Sequence, residues 1–334
     1  MAGLKYGYTP RRRRTPKRPL WLALPIAFVA GAVLLGLWLS ADGGEPAAGG
    51  ESVLTGGPLG QAPAPHPSRQ PLDTSDPPVL TGKAAAIIEE PCGALTYELN
   101  AHLRRAPASL TKIATALVAA ERADLSEVVT VQVNGPELSA QTDATVMGIE
   151  PGDQLSVSDL IYGLLLPSGN DAAIAIAEHV SGTVPDFVQL MNQEAARLGL
   201  SDTHFSNPHG LDDPDLYTSA FDIAVLGGEL LQRPELAEVV STPLYQPAWD
   251  GPALRNLNLL LGNYPGALGV KTGYTDLAGQ TIVGAAERDG RRLIVSVLGS
   301  SDIYVDTMAL FEWAFAATPQ ECGTAGSASP LPGG

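Results

Sequence analysis

The order of two kinds of hydrophobic pattern constrains this chain most. Strand-like runs lie at both ends of the region after residue 80, and longer runs of helical period lie between them. In chain order, the patterns predict strands at Lys83–Glu90 and Ala94–Leu99, helices at Leu110–Arg122, Val157–Leu166, Ala172–Val180, Val184–Leu198 and Ala220–Leu231, strands at Gly269–Gly273, Thr281–Glu287 and Arg292–Leu298, and a final helix at Tyr304–Ala317. This order predicts an α+β fold, an antiparallel sheet flanked by helices with a helical subdomain inserted into it.

The first forty residues have a composition of their own. Seven basic side chains and no acidic one lie in residues 1–19, and no residue from Leu20 to Leu39 is charged. Twenty helical residues span roughly 30 Å, the hydrocarbon thickness of a bilayer, and preceding positive charge directs an N-terminus to the cytoplasm. We therefore expect a basic cytoplasmic segment at 1–19 and a single-pass transmembrane signal-anchor at 20–40, which places the folded body outside the cell membrane. A cleaved signal peptide, with Ala30-Gly31-Ala32 as its small-residue site, is the alternative.

The rest of the chain divides by composition. Residues 41–80 hold eight prolines and seven glycines without an apolar period, which predicts a linker. A folded domain is expected over 81–322, followed by a disordered tail at 323–334. After residue 19 the chain has 13 basic and 36 acidic side chains, a balance of −23. So acidic a body argues against nucleic acid as a partner.

Three short motifs follow one another along the chain: Ser109-Leu110-Thr111-Lys112, Ser168-Gly169-Asn170 and Lys271-Thr272-Gly273. Each of the first two is expected by chance about once in a chain of this length, and the third about once in ten such chains. Their order and context therefore carry the argument. Ser109 begins an apolar helix, so Lys112 lies one turn later on the same face. A neutral amine there can deprotonate the hydroxyl, and both burial and the charge of Lys271 would lower its pKa.

The other two motifs have the setting of binding groups. Ser168-Gly169-Asn170 joins two apolar helices as a loop, a common place for catalytic side chains. Lys271-Thr272-Gly273 closes a short strand, where the glycine leaves room for a substrate backbone and its neighbours present a charge and a hydroxyl to an anion. The backbone N–H of Ser109, at a helix start, can contribute to an oxyanion hole.

Around these motifs the chain is similar to the low-molecular-weight penicillin-binding proteins of the D-alanyl-D-alanine carboxypeptidase family. The resemblance covers roughly residues 83–317 and includes the stretches APASLTKIATALVA, DLIYGLLLPSGNDAAIAIAEHVSG and GALGVKTGYTDLAGQTIVGAAERDGRRLIVSVLGS. It implies a five-stranded β-lactamase/transpeptidase-like fold. It also implies removal of the terminal D-alanine from peptidoglycan stem peptides, acylation by β-lactams as inhibitors, and no metal or other cofactor.

The resemblance further implies a role for each motif residue. Ser109 is the nucleophile, Lys112 its general base, and Ser168 a proton relay to the leaving amine. The substrate-binding residues are Asn170, Lys271, Thr272, Gly273 and Tyr274. Among them the amide holds the substrate backbone, the lysine and threonine dock its carboxylate, and the tyrosine N–H joins that of the nucleophile in an oxyanion hole. Some members use an arginine near the end of the last strand, but Gly299-Ser300-Ser301-Asp302 offers none here.

Other functions remain open on the same residues. A D,D-endopeptidase would cut cross-links with the same nucleophile, and a penicillin or muropeptide sensor would bind without turnover. A β-lactamase is disfavoured, because no glutamate with an asparagine partner is placed to activate a deacylating water. A zinc peptidase is disfavoured because no His-Glu-x-x-His occurs. The zinc ligands would have to come from a polar loop that holds His204, His209, Asp212 and Asp213. Turns and caps within the loop account for these residues instead.

Cys92 and Cys322 are the only cysteines. A pair with none left over, in a compartment that permits disulfides, favours a bridge over two free thiols. In the fold that the resemblance implies, the last strand pairs antiparallel with the first and the final helix ends near the first hairpin turn. The resemblance therefore implies a Cys92–Cys322 disulfide.

Overall fold

The computed structural model of the chain describes residues 76–91 and 93–317. The predicted transmembrane segment at 20–40, the linker up to residue 75, the tail and both Cys92 and Cys322 lie outside the described residues. Among the helices that are described, none is both long and apolar enough to cross a membrane.

The described strands are β1 Ala84–Glu90, β2 Ala94–Leu99, β3 Val128–Thr130, β4 Gln154–Ser156, β5 Leu244–Tyr245, β6 Leu254–Arg255, β7 Ala267–Thr275, β8 Gly279–Arg288 and β9 Arg291–Ser300. The described α-helices are α1 Thr111–Arg122, α2 Gly135–Thr142, α3 Val157–Leu165, α4 Asn170–Ser181, α5 Val184–Arg197, α6 Ala220–Leu231, α7 Pro234–Ser241 and α8 Ile303–Ala316. A 3₁₀ turn, Ala108–Leu110, leads into α1.

Five strands form one antiparallel sheet in the order β2-β1-β9-β8-β7. β1 pairs along its length with β9, from Ala84 opposite Leu298 onward, so the first and last strands meet near the centre of the sheet. The turn between β8 and β9 holds Asp289 and Gly290 at positive φ, the backbone that a tight two-residue hairpin favours. The predicted five-stranded antiparallel sheet, with helices around it, is confirmed.

The first strand is apolar at successive positions because both faces of the sheet are covered. Ala84 and Ala86 belong to the main core, which contains the inserted helices. Ala85 and Ile87 belong to a second core under α8. A sheet buried on both faces favours continuous apolar runs over alternation. Since α8 covers one face, the motif-bearing helices all pack on the other.

α1 is the central helix of the inserted part, where it contacts α3, α4, α5 and α6. Every residue from Thr111 to Ala119 is buried, including the polar Lys112 and Thr115. Thr115 Oγ1 donates to the carbonyl of Pro208 at 2.6 Å. A buried lysine is costly unless its amine is hydrogen-bonded or neutral, so the first turn of α1 is marked as a special environment.

The sequence patterns missed α2, α7 and two small antiparallel ladders, β3–β4 and β5–β6. The two helices have eight residues each, too few for an apolar period to stand out, and each has a proline in its first turn. Every helix and strand that the sequence patterns did predict is present, with ends that differ by at most two residues.

Candidate active site

Ser109 lies in the tight turn that precedes α1. Its neighbour Ala108 has a φ of 51°, which is uncommon for a residue with a Cβ. Gly210 packs against that turn so closely that a Cβ on it would collide with the Ala108 carbonyl. From the other side, Thr281 Oγ1 on β8 donates to the Pro107 carbonyl at 3.2 Å. The serine is thus presented by a strained turn that a loop and a strand hold in place.

The amine of Lys112 lies 3.0 Å from Ser109 Oγ, as the helical spacing predicts. The same Nζ lies 2.7 Å from Asn170 Oδ1 and 2.6 Å from the carbonyl oxygen of His209. Both of those oxygens can only accept, so each takes up an N–H of the amine. A neutral amine has two N–H groups, and its lone pair is then left for the hydroxyl of Ser109.

The surroundings of Lys112 favour that neutral form. Burial lowers the pKa of Lys112 well below its usual value, the charge of Lys271 lowers it further, and the carboxylate of Asp171 opposes them. Burial lowers the pKa of Lys271 itself to about 7. His209 stays neutral as well, because burial and then Lys112 bring its pKa down to about 3. The predicted effect of Lys271 on Lys112 is therefore present.

Ser168 and Asn170 follow α3 and lie across the cleft from β7. Ser168 has a φ of 68°, and its Oγ is buried with no hydrogen-bond partner among the described residues. Asn170 is the first residue of α4, and its backbone N–H donates to the Thr145 carbonyl at 2.8 Å. The loop therefore places at the cleft a hydroxyl to which no described residue is hydrogen-bonded, and it places an amide against Lys112.

Lys271, Thr272, Gly273 and Tyr274 are successive residues of β7, the edge strand of the sheet. Lys271 is buried, and its Nζ donates to the Thr272 carbonyl at 2.9 Å. A Cβ on Gly273 would lie 2.8 Å from the backbone nitrogen of Ser109, so only glycine lets β7 approach Ser109 this closely. The side chain of Tyr274 is exposed. The three motifs are thus brought together although up to 162 residues separate them (109 to 271).

A cleft of about 470 Å³ opens between β7 and the Ser168 loop. Its lining combines polar and apolar groups: Ser109, Asp143, Thr145, Ser168, Leu257, Thr272, Gly273, Tyr274, Gln280, Ile303 and Tyr304. Ser109 is half-buried beside the buried amine of Lys112, and the edge strand β7, which carries the buried Lys271, runs along one side of the cleft. This arrangement suits covalent catalysis on an extended anionic chain.

Residues 72–302, more than half of the chain, match the D-alanyl-D-alanine carboxypeptidase family. The chain belongs to that family. This family member is 37% identical over 223 residues to the D-alanyl-D-alanine carboxypeptidase DacF of Bacillus subtilis, a match that covers 66% of this chain and 57% of the relative. It is 34% identical over 249 residues to DacA of Haemophilus influenzae, a match that covers 72% of this chain and 63% of that relative. The carboxypeptidase-family chain thus spans only about three fifths of the length of these two relatives.

Solved structures resemble this carboxypeptidase-family protein over nearly their whole length. The Streptomyces K15 DD-transpeptidase superposes with a TM-score of 0.69 at 30% identity, covering 72% of this chain and 100% of that one. A D-alanyl-D-alanine carboxypeptidase from Mycobacterium tuberculosis gives a TM-score of 0.69 at 33% identity, covering 75% and 97%. The fold implied by the motifs is therefore confirmed.

The polar loop that could suggest zinc ligands in this carboxypeptidase-family protein is used for other contacts. His204 Nδ1 lies 2.6 Å from the Asp215 carbonyl, and Asp212 accepts from Thr275 Oγ1 at 2.7 Å. His209 is half-buried, and its carbonyl contacts Lys112. No group of three or more metal-binding side chains occurs in the described part of the chain.

Two contributors to the site of this carboxypeptidase-family protein were not identified from sequence. The carbonyl of His209 reaches Lys112 across 97 residues, and no sequence pattern reports such a contact. Asp171, fully buried, accepts from the backbone N–H groups of Met147, Gly148 and Ile149 at 2.8–3.1 Å. Its place directly after the Ser168-Gly169-Asn170 motif was the available signal, since a charged residue at the start of an apolar helix is often an anchor.

Proposed function

We propose that this protein is a serine D-alanyl-D-alanine carboxypeptidase that removes the terminal D-alanine from peptidoglycan stem peptides and is acylated by penicillins. The observation that carries the proposal is the Lys112 amine, buried and hydrogen-bonded to two acceptor oxygens beside Ser109 Oγ. Family membership over residues 72–302 supports the substrate class. The buried Lys271 on β7 supports docking of a terminal carboxylate.

Each motif residue has one task in this reaction. Ser109 Oγ attacks the carbonyl between the two D-alanines and gives its proton to Lys112. The backbone N–H groups of Ser109 and Tyr274 receive the oxyanion, which the close approach of Gly273 to the Ser109 nitrogen supports. The C–N bond then breaks, and the leaving D-alanine amine takes up a proton through Ser168 Oγ. Water hydrolyses the resulting Ser109 ester, which releases the shortened stem peptide and restores the hydroxyl.

Ser109→Ala tests the proposal. Intact mass after exposure to penicillin should show a covalent adduct on the wild-type protein and none on the variant. A peptide ending in D-Ala-D-Ala should release D-alanine only with the wild type. An adduct without D-alanine release would favour a sensor, and rapid loss of the adduct would favour a β-lactamase. Labelled penicillin attached to the variant would show that the nucleophile is elsewhere.

Transfer of the acyl group to an amine is a second candidate activity. The observation that favours it is the likeness to the Streptomyces K15 DD-transpeptidase, which is covered over its full length. An acceptor amine would then attack the same Ser109 ester in place of water. A D,D-endopeptidase would use the same ester to cut a cross-linked peptide. Mass spectrometry of the products with and without added glycine measures the ratio of transfer to hydrolysis. A product mixture that glycine does not change would exclude transfer to this acceptor.

We further propose that residues 20–40 anchor the protein in the cell membrane, with residues 41–334 outside. The uncharged run of 20 residues after seven basic ones supports this topology. A peptidoglycan substrate would also require a body outside the membrane. Protease added to intact spheroplasts should remove the body, whereas a protected body would reverse the topology.

The proposed Cys92–Cys322 disulfide has support from neighbouring contacts. Arg291 donates to Glu89 Oε1 at 2.8 Å and to the Ala317 carbonyl at 3.0 Å. The chain just before Cys92 is therefore tied to the chain that follows α8. Cys322 lies five residues beyond Ala317 (317 to 322), a length of chain sufficient to return to the β1–β2 turn.

A further inference from the structure

The cleft is electrically uneven. Lys271 is a buried basic residue of β7, the strand along one side of the cleft. Of the described side chains that line the cleft, the one with a charged group is Asp143. Asp143 and Thr145 lie on the side of Ser168, across the cleft from Thr272 and Gly273. A bound peptide that places its carboxylate near Lys271 would therefore meet an acidic group elsewhere in the same cleft.

The carboxylate of Asp143 has no hydrogen-bond or ion-pair partner within the described part of the chain. Two other acids near the cleft differ in this respect. Asp212 accepts from Thr275 Oγ1 at 2.7 Å, and Asp276 accepts from the Tyr274 hydroxyl at 3.0 Å. Asp212 thus holds Thr275 at the end of β7, and Asp276 holds the Tyr274 hydroxyl. Asp143, by contrast, is exposed at the cleft wall, and no described residue pairs with its carboxylate.

The backbone that carries Asp143 is fixed. Its N–H donates to the Ser139 carbonyl at 2.9 Å, and the residue closes α2 with a φ of 55°. Beyond it, the Thr145 carbonyl accepts from the N–H of Asn170 at 2.8 Å. The backbone N–H groups of Met147, Gly148 and Ile149 donate to the carboxylate of Asp171. An unpaired charge on so constrained a segment is pre-organised for a ligand, because binding does not have to order the backbone first.

We propose that Asp143 binds the side-chain ammonium of a diamino acid that precedes D-alanyl-D-alanine in the substrate, and so selects stem peptides in which this amine is free. The inference rests on the proposed function, since it names the substrate of the same cleft. A stem whose amine has been acylated in a cross-link has no positive charge to offer. Asp143 therefore favours carboxypeptidase action on stems that are not yet cross-linked through that residue.

Two peptides that differ only in this charge test the proposal: Nα-acetyl-L-Lys-D-Ala-D-Ala, with a free ε-amine, and Nα,Nε-diacetyl-L-Lys-D-Ala-D-Ala. At low ionic strength, wild-type kcat/KM for D-alanine release should be about threefold to fivefold higher for the free amine, the range of a solvent-exposed ion pair. Salt at about 1 M should reduce this ratio, because exposed charges are screened. Asp143→Asn should bring the ratio close to one. Asparagine tolerates the left-handed backbone of this position, so the variant removes the charge without adding strain.

Glu137→Gln is the matched control, because Glu137 is an exposed acid of the same helix that does not line the cleft. It should keep the wild-type ratio. A wild type without preference, or a preference that survives in Asp143→Asn, would overturn the inference while D-alanine release still supports the proposed function. Failure of the wild type to release D-alanine from either peptide would overturn the proposed function, and the inference with it.

Discussion

At the scale of single residues, the proposed reaction requires two lysines in opposite protonation states. Lys112 must be neutral to accept the proton of Ser109, and Lys271 must be charged to bind a carboxylate. An amine is neutral above its pKa, so acylation should slow as the pH falls through the lowered pKa of Lys112. Lys271, with a pKa of about 7, loses its charge as the pH rises, which should weaken peptide binding. kcat/KM for a D-Ala-D-Ala peptide should therefore be bell-shaped.

A peptide whose C-terminal carboxylate is replaced by an amide is the control for this profile. It should keep the acidic limb, which belongs to Lys112, and lose the alkaline limb, which belongs to the contact with Lys271. A rate that stays constant between about pH 5 and about pH 9 for both peptides would contradict both assignments.

Ser168 provides a second prediction at this scale. Its Oγ is buried and has no hydrogen-bond partner among residues 76–91 and 93–317, so Ser168→Ala removes no hydrogen bond of the described fold. The melting temperature should stay close to that of the wild type, whereas D-alanine release should fall about 100-fold through loss of a proton relay. Ser206→Ala is the matched control, since Ser206 Oγ is likewise buried with no partner in the described part of the chain but does not line the cleft. Equal activity of the two variants would remove Ser168 from the mechanism.

At the scale of elements, Asp171 joins the start of α4 to the segment that forms the cleft wall. Its carboxylate accepts from four backbone N–H groups, those of Met147, Gly148, Ile149 and Ala172. Asp171→Asn replaces one acceptor oxygen with a donor group, which should lower the free energy of unfolding by about 3 kcal/mol. It also removes the negative charge that raises the pKa of Lys112, so the acidic limb of the acylation rate should move to lower pH.

Asp159→Asn separates these two effects. Asp159 is also buried and accepts from the Tyr245 hydroxyl at 2.8 Å and from Ser156 Oγ at 2.8 Å, but it is not among the groups that shift the pKa of Lys112. Its variant should lose stability to chemical denaturation without any shift of the pH profile. An unshifted profile in Asp171→Asn would show that Asp171 acts on the fold alone.

At the scale of the whole molecule, the sheet order joins the two ends of the folded body. β1 lies against β9, and Arg291 ties Glu89 to the carbonyl of Ala317. A Cys92–Cys322 bridge would close a loop of 230 residues (92 to 322), for which the chain-entropy estimate is about 5 kcal/mol as an upper value. Thiol titration of the unreduced, denatured protein taken from its exported location should find no free sulfhydryl. Reduction should lower the melting temperature, and two titratable thiols before reduction would contradict the bridge.

Local patterns were sufficient for the parts of this protein that depend on neighbouring residues. The apolar period predicted the sheet and the long helices, because each period reports which side of a segment is buried. The three-residue spacing of Ser109 and Lys112 predicted their contact, since a helical turn brings such residues to one face.

Tertiary structure alone decided the environment of that pair. Asn170 and His209 reach Lys112 from 58 and 97 residues away, and Asp143 comes to line the cleft only after α2 and α4 pack together. A lysine pKa depends on burial and on charges that different elements bring close, and neither is written in a local period. The sequence therefore predicted Ser109 as the nucleophile and a neutral Lys112 as its base, whereas the two oxygens that hold the Lys112 amine and the place of Asp143 at the cleft required the packed fold.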